Sequence, residues 1–337
     1  MAEVTIRDIA QAAGVSAATV SRVLNQKGNV TPQAEARVRA ALQQYSYDPR
    51  SRQRKKTDRR LMIGLIISDI SNNFIIQLIK VVGERVRNQG YSLLVGVTDE
   101  DSAKEREYLL LLQKCNAAGI ILNTAGGNDE LICSISHHTP LVLMNRKIAG
   151  ASLKCDFIDT DNIAGAEMMT RYLLNLGHTR IGVINGNTCV STGRERAEGF
   201  FQALREIGVE NAQGYPYRYE GDYSERTGLY GARYLLEQSP RPTAIVAMND
   251  LIMVGAMKFL LRHKIRVPED ISLIGYGNVS NSELFSVPPH HITQNPVSSG
   301  EKAVNCLLER VKTPNLSNRE IIFTSSMMEG GSVRPLL

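Results

Sequence analysis

The stretch GVSAATVSRVLN, residues 14–25, groups short donors around two small side chains. Ser16, Thr19, Ser21 and Asn25 carry hydroxyl or amide groups, Ala17 and Ala18 carry single methyls, and Arg22 carries the one cation. Hydroxyls and amides of this reach suit phosphate oxygens, which fix register rather than sequence. A guanidinium one turn further on reaches guanine O6 and N7 or a phosphate, and an alanine methyl meets the thymine methyl. A core helix would hold more Leu and Ile, and a purely solvated one more charge and fewer hydroxyls.

No second set of residues in the chain has the pattern of a catalytic centre. GxxxxGK[ST], GxSxG and HExxH are absent, and GYGN at 275–278 lacks the third glycine of a dinucleotide loop. Asp159 and Asp161 resemble a carboxylate pair but have no positioned nucleophile beside them. His137-His138 and His290-His291 are adjacent in sequence, so neither pair faces one way on a helix or strand, and surface or loop positions are expected. Five cysteines (115, 133, 155, 189 and 306) show no CxxC spacing and read as reduced, buried thiols of a cytosolic protein. No enzyme activity, cofactor or metal is expected.

The elements that must position residues 14–25 are legible. Thr5 and Asp8 stand three apart as a variant capping box, and Ile6, Ile9, Ala10 and Ala13 form one apolar stripe. Gly14 permits a turn, Ser16 caps the next helix, and Val20, Val23 and Leu24 face inward. A third helix starts at Thr31-Pro32, with Val38, Leu42 and Tyr45 as its inner face. Three short helices with a glycine turn between the first two read as a helix-turn-helix, whose second helix enters the major groove.

Charge is divided unevenly along the chain. Residues 1–60 hold 12 Lys/Arg against 5 Asp/Glu, and the remaining 277 hold 27 against 29. A basic head on a near-neutral body points to a polyanion as the partner of the head. Between Arg50 and Arg60 seven of eleven residues are basic, Arg50, Arg52, Arg54, Lys55 and Lys56 among them. Two readings of this segment stand: a solvated linker, or a strand of charge that orders on DNA by neutralising phosphates.

Beyond residue 61, Val/Ile-rich runs alternate with helical stretches. The runs are LMIGLII (61–67), SLLVGV (92–97), AGIIL (118–122), PLVLM (140–144), RIGVING (180–186), TAIVAM (243–248) and ISLIGY (271–276). Between the first two, Ile75, Leu78, Ile79, Val82 and Val86 share a helical face. Such alternation predicts buried parallel sheets, and the break between Met144 and Arg180 predicts two Rossmann-like lobes with a cleft between them. Ligands of such sheets sit at the carboxyl ends of the strands. No apolar run approaches bilayer length and the first residues lack a signal-peptide core, so a cytoplasmic protein without membrane contact is expected.

TIRDIAQAAGVSAATVSRVLN followed by VTPQAEARVRAALQQYSYDP resembles the DNA-binding head of the LacI/GalR family of ligand-responsive bacterial regulators. The body resembles the same family, and hence the periplasmic-binding-protein fold, through IGLIISDISNNF, DTDNIAGAEMMTRYLLNLGHTRIGVING, GRERAEGF, GDYSERTG, AMNDLIMVGAM and VPEDISLIGYGN. The resemblance implies that Thr5, Ser16, Ala17, Ala18, Thr19, Ser21, Arg22 and Asn25, with the basic linker, meet DNA. It also implies that Phe74, Asp161, Arg196, Tyr223 and Asn249 line an effector cleft, a set that Asn123, Arg146 and Tyr276 join. Asp and Asn would bond hydroxyls, Arg196 offers a fork of donors, and Phe74 and Tyr223 offer faces for a ring. Plainer readings stand beside these: Asn249 and Asp250 as a helix cap, Phe74 as core, and Arg196 as a surface ion pair with Glu195 or Glu198.

Two departures from the family pattern matter. The usual hinge helix carries a Leu that wedges into the minor groove, where this chain has Lys56 and no aliphatic residue between Pro49 and Leu61. Arginines in a narrow minor groove, or phosphate clamping, are the substitutes. Where the family commonly has an acid after Gly-Tyr, this chain has Gly277, and Arg146 adds a cation on the opposite lobe. Those two changes favour a sugar acid or sugar phosphate over a neutral sugar.

The resulting expectation is an all-α helix-turn-helix head (1–47), a basic hinge (48–61) and an α/β body (62–337) with an N-lobe of about 62–160 plus 293–322 and a C-lobe of about 161–292 plus 323–337. The function expected is a dimeric, operator-binding repressor of a carbohydrate-utilisation operon, modulated by a sugar-like effector. The C-terminal SSMMEGGSVRPLL has no heptads, so no tetramerising coiled coil is expected. The alternative is a soluble sugar-binding receptor without a DNA role.

Overall fold

The computed structural model describes residues 6–25, 30–45, 61–148, 152–210, 213–280 and 282–336. It divides into two compact units, 1–60 and 61–337.

The first unit holds three helices, α1 (Ile6–Ala13), α2 (Ala17–Asn25) and α3 (Pro32–Gln44). Their small core is Ile9, Ala10, Ala13, Val20, Val38 and Ala41, with Val23, Leu24 and Leu42 half-buried around it. α1 ends where Gly14 turns left-handed (φ 59°), and the Val15 N–H reaches back to the Ala10 carbonyl at 3.0 Å. Thr31 caps α3 by accepting from the Ala34 N–H, and Pro32 fills the first helical position. Tyr45 departs from the expected inner face: it lies just past the end of α3 and is 42% exposed.

The second unit consists of two sheets. The first contains β1 (Met62–Ile67), β2 (Ser92–Val97), β3 (Gly119–Leu122), β4 (Leu141–Met144), β5 (Asp156–Thr160) and β11 (Glu320–Phe323), in the order β2-β1-β3-β4-β5-β11 and all parallel. The second contains β6 (Ile181–Asn185), β7 (Arg218–Glu220), β8 (Ala244–Ala247), β9 (Ser272–Tyr276), β10 (His290–Thr293) and β12 (Ser326–Met328), in the order β7-β6-β8-β9-β10-β12. Both repeat the doubly wound order in which the chain reverses direction beside the first strand.

Strand alternation gives each sheet two apolar faces. Ile63, Leu65 and Ile67 of β1 face α4 (Asn73–Asn88) and α11 (Pro296–Lys312), and Ile66 faces the core that includes α5 (Ser102–Lys114) and α6 (Asp129–Ser136). In the second sheet Ile184 packs with α9 (Glu225–Leu236) and α10 (Asp250–Arg262), and Ile181 and Val183 pack with α7 (Asn162–Asn175) and α8 (Ser191–Leu204). No helix among the described residues is long and apolar enough to cross a membrane.

The chain passes between the lobes three times, after β5, after β10 and after β11. The last passage explains why the second sheet is not wholly parallel. β11 ends at the cleft and only residues 324–325 separate it from β12, so β12 starts at the cleft edge and must run against β10.

Other expectations need correction. β5, β7, β10, β11 and β12 lie outside the Val/Ile-rich runs. His290 is not at the surface: it is 3% exposed on β10, and its Nε2 lies 3.2 Å from the Tyr172 hydroxyl. All five thiols are free, but Cys115 and Cys189 are exposed and Cys133 is half-buried, leaving Cys155 and Cys306 as the buried ones.

Candidate functional site

In the first unit the candidate surface is the start of α2. Ala17 and Ala18 are exposed at its leading edge and Arg22 is exposed one turn on. The Ser16 Oγ accepts from the Thr19 N–H at 3.2 Å and lies 2.9 Å from the Thr19 hydroxyl, so these two residues build the cap that starts the helix. Ser21 is half-buried. On α3, Arg39 is held by Glu35 at 2.7 Å. Thr5, the Asn25 side chain, Arg50, Arg52, Arg54, Lys55 and Lys56 lie outside the described residues.

In the second unit a cavity of about 70 Å³ lies between the lobes, at the carboxyl ends of the strands of both sheets. Seven of the eight expected cleft residues line it: Phe74, Asn123, Arg146, Arg196, Tyr223, Asn249 and Tyr276. Asp161 does not. Its carboxylate accepts from the Ala164 N–H at 2.9 Å as the N-cap of α7, a role that needs the side chain to turn along the helix rather than into the cleft.

Arg196 is the central cation. It is 6% exposed, donates from Nε to Asn162 Oδ1 (2.9 Å) and from Nη1 to the Met248 carbonyl (2.5 Å), and its Cζ stands 3.8 Å over the Tyr276 ring. These contacts replace the surface ion pair with Glu195 or Glu198, and they fix the guanidinium's plane. Asn162 in turn donates to Asp159 Oδ2 at 3.1 Å and Glu195 Oε2 at 2.9 Å. Burial holds the Asp159 carboxyl well above its usual range, even though it accepts from the Thr160 N–H. Asp159 therefore belongs to the support behind Arg196. Burial likewise pushes the Tyr276 phenol up to about 12, and its hydroxyl meets the Asp161 carbonyl at 3.3 Å.

The other lining residues combine a packing role with an open face. Phe74 is part of the first lobe's core and also reaches the cavity. Asn249 caps α10 by accepting from the Ile252 N–H at 2.7 Å, while its Nδ2 donates to the Tyr223 carbonyl at 3.3 Å. The Tyr223 hydroxyl lies 3.1 Å from Thr192 Oγ1, and a Cβ at residue 186 would stand 2.3 Å from the Tyr223 ring, so only glycine admits the ring there. Asn123 donates to the Met144 carbonyl at 3.1 Å, but its Oδ1 is buried with no partner among the described residues.

Arg146 is not the surplus cation expected from the sequence. It is 5% exposed and forks onto Glu100 at 2.6 and 2.7 Å, with a further bond to the Thr124 carbonyl at 2.8 Å. Burial works against its charge, but the Glu100 carboxylate outweighs burial and raises its pKa. Asp99, Glu100 and Asn145 adopt positive φ of 51°, 61° and 59°, so the backbone on both sides of this pair is held in an unfavourable region for side-chain-bearing residues. With Asp69, Glu100 and Asp250 in the lining against Arg146 and Arg196, acids outnumber cations and the expected bias toward an anion disappears. Gly277, in the place of the family's acid, has a φ of 97°, which an Asp would rarely adopt.

Sequence reasoning missed Asp69, Asn72, Glu100 and Gln294 as cavity residues. Each follows the carboxyl end of a strand, which was the available signal. Four bonds among the described residues join the lobes here. Asn72 Nδ2 donates to Asp250 Oδ1 at 2.7 Å, the Asn73 N–H to Asp250 Oδ2 at 3.4 Å, Asn73 Nδ2 to the Asn278 carbonyl at 3.4 Å, and the Lys147 N–H to Ser191 Oγ at 2.9 Å. Burial pushes the Asp250 carboxyl up to about 6, against the N–H groups of Leu251 and Asn73 that it accepts.

Comparison with known proteins agrees with this geometry. Residues 5–50 match the family described as bacterial regulatory proteins, lacI family, and residues 170–333 match a periplasmic binding protein-like domain. An HTH-type transcriptional repressor PurR from Klebsiella pneumoniae (strain 342) is 32% identical over 335 residues, 98% of this chain and 96% of that one. A solved putative ribose operon repressor from Burkholderia thailandensis superposes with a TM-score of 0.70 at 28% identity, covering 79% of this chain and 98% of that one. The lac repressor dimer bound to operator and the anti-inducer ONPF shares the fold, with a TM-score of 0.72 at 23% identity over 99% of this chain and all of that one.

Proposed function

We propose, on the premise that this chain belongs to the LacI family and is a DNA-binding transcriptional repressor of that family, that its effector is a neutral, sugar-like metabolite bound between the lobes. The family's members are regulators rather than enzymes, and the alternative of a sugar receptor without a DNA role is set aside by that membership.

The observation that carries the effector reading is the Asn123 Oδ1. A buried carbonyl oxygen without a donor costs about 1–3 kcal/mol, so it favours a ligand that brings an O–H or N–H. Around it stand the Arg196 fork, the acceptors of Asp69 and Asp250, and the faces of Phe74 and Tyr223. This mixture suits a polyhydroxylated ring better than a phosphate, because each cation already faces an acceptor. The ribose operon repressor named above supports the carbohydrate class for the regulated operon.

The cavity of about 70 Å³ is well below the roughly 300–1,000 Å³ of small-molecule sites, so the lobes must part to admit a ring. Breaking and remaking the Asn72–Asp250 and Lys147–Ser191 bonds is the event that a ligand would bias. In a homodimer with two heads, on the two halves of a palindromic operator, such a change shifts DNA affinity, typically by about 1–3 kcal/mol. In the heads, α2 lies in the major groove with Ala17, Ala18 and Arg22 toward base edges, while Ser16, Thr19, Ser21, Asn25, Thr5 and the basic linker take phosphates and the minor groove. The protein acts in the cytoplasm.

The test is a thermal-shift screen of the full chain against neutral sugars, sugar acids, sugar phosphates and nucleobases, followed by gel shifts on a genomic fragment selected by the protein. A neutral sugar is expected to raise the melting temperature and change operator occupancy. A response confined to an anion or a nucleobase refutes the effector class.

A further inference from the structure

The cleft holds a second chamber. Its volume is about 720 Å³, ten times that of the first, and Arg146 lines both. Among the described residues its walls come from both lobes: Arg106, Thr124, 126–131 and 146–148 from the first, and Cys189, Val190 and Arg194 from the second.

The inner wall is built rather than accidental. Glu105 is fully buried in the first turn of α5 and accepts from the Thr124 hydroxyl (3.1 Å), the Ala125 N–H (2.6 Å) and Asn128 Nδ2 (3.0 Å). Burial raises its pKa, so these three donors are what hold it. Asn128 is thereby turned away from capping α6, and its side chain makes no cap bond at that helix end. Opposite, Arg194 donates from Nη1 to the carbonyls of Cys189 (2.7 Å) and Thr188 (3.3 Å), and among the described residues it has no ion pair. Arg106 stands exposed on the facing lobe, and Asp129 and Glu130 lie beside it in the same wall. Planar donors, acceptors and the apolar patch of Val190, Ile148 and Leu131 therefore surround a space large enough for a second ring.

We infer that the ligand is longer than one sugar ring: a saccharide of at least two units, with one unit at Arg196 and Asn123 and the next in the outer chamber, and Arg146 between them. The inference rests on the sugar-like effector proposed above and deepens it. A single ring would leave the outer chamber to solvent, whereas two units would use both sides of Arg146.

Cys189 supplies a readout in the unaltered protein, because it is exposed and lines the outer chamber. The full chain is alkylated with iodoacetamide in the presence of ribose, glucose or galactose, or of maltose, cellobiose, lactose, sucrose or trehalose, and modification is followed by peptide mass spectrometry. Cys115, exposed and outside the chamber's lining, is the internal control. At least one disaccharide is expected to slow alkylation of Cys189 by five-fold or more without changing Cys115, and to bind at least ten-fold more tightly than its component monosaccharides. Arg106→Ala with Arg194→Ala, both at exposed positions, is expected to cut that preference to three-fold or less while monosaccharide binding stays within two-fold.

A monosaccharide that binds as tightly as every disaccharide and leaves Cys189 reactive overturns the two-chamber reading while sparing the sugar-like effector. A disaccharide preference untouched by the double variant overturns the placement in the outer chamber. Absence of any response to saccharides of either size, with a thermal shift from another class, sinks the parent reading and this one with it.

Discussion

Asp250 starts α10, lines the small cavity and accepts the Asn72 amide from the other lobe. It is 6% exposed, and burial sets its carboxyl at about 6 rather than the usual 3.8. Holding it ionised in the folded chain therefore costs about 3 kcal/mol relative to the unfolded chain. Because the folded-state pKa is the higher one, the folded chain keeps this proton over a range where the unfolded chain has lost it. Stability from this group falls as pH rises from about 4 to 6 and is level above that. Between pH 8 and pH 5 protonation recovers about 1.4 kcal/mol of the cost, and Asp250→Asn has no charge to recover. The melting temperature of D250N minus that of the wild type is expected to be more positive at pH 8 than at pH 5 by roughly 3 °C. Scanning fluorimetry on both proteins in matched buffers reads this double difference, from which titrations shared by the two proteins cancel. A constant difference across pH 5 to 8 refutes the desolvated carboxylate, because a carboxyl at or below its usual pKa, whether in an ion pair or in water, does not titrate in that window.

Three more perturbations bear on the site and its frame. Arg22→Ala is expected to weaken operator binding by about 1–3 kcal/mol and relax preference at one base pair, measured by competition gel shifts; equal losses on operator and random DNA assign Arg22 to a phosphate instead. Gly186→Ala sets a Cβ 2.3 Å from the Tyr223 ring, so the ring must swing and the effector response is expected to be lost with operator binding retained; an unchanged thermal shift with effector contradicts this. Asp156→Asn strips the fully buried carboxylate that Arg310 forks onto at 2.9 and 2.7 Å and that Arg319 also bonds, which is expected to lower stability to urea by about 3–5 kcal/mol. A loss below about 1 kcal/mol would show that water reaches Arg310.

Much of the frame was legible because parallel strands buried on both faces are written in Val and Ile. Where a strand is stabilised by polar contacts, that signal is absent. β5 reads DFIDT because Asp156 is paired with two arginines from distant parts of the chain and Asp159 accepts from Asn162 and from the Thr160 N–H. β10 carries His290, which is buried because Tyr172 meets it from α7. In the cleft, residue types and family positions located Arg196, Asn249 and Tyr223, but not which contacts each makes. The Glu100 partner of Arg146 lies 46 residues away and reaches it through two successive residues with positive φ, which no local pattern announces. Asp161 shows the opposite failure: an acid ahead of a helix is as good a cap as a ligand, and here the helix claims it.

The three passages between the lobes, at 161, 294–295 and 324–325, lie at one side of the cleft and are only one or two residues each. Three short straps in parallel permit bending about the line they share and resist torsion across it. Displacement on opening then grows with distance from that line, as along a lever. A ligand atom near the straps feels little of the swing, while one far out sets the angle at which the lobes come to rest. The reach of the ligand, rather than the tightness of its grip, would therefore govern how far the repressor is driven between its two postures.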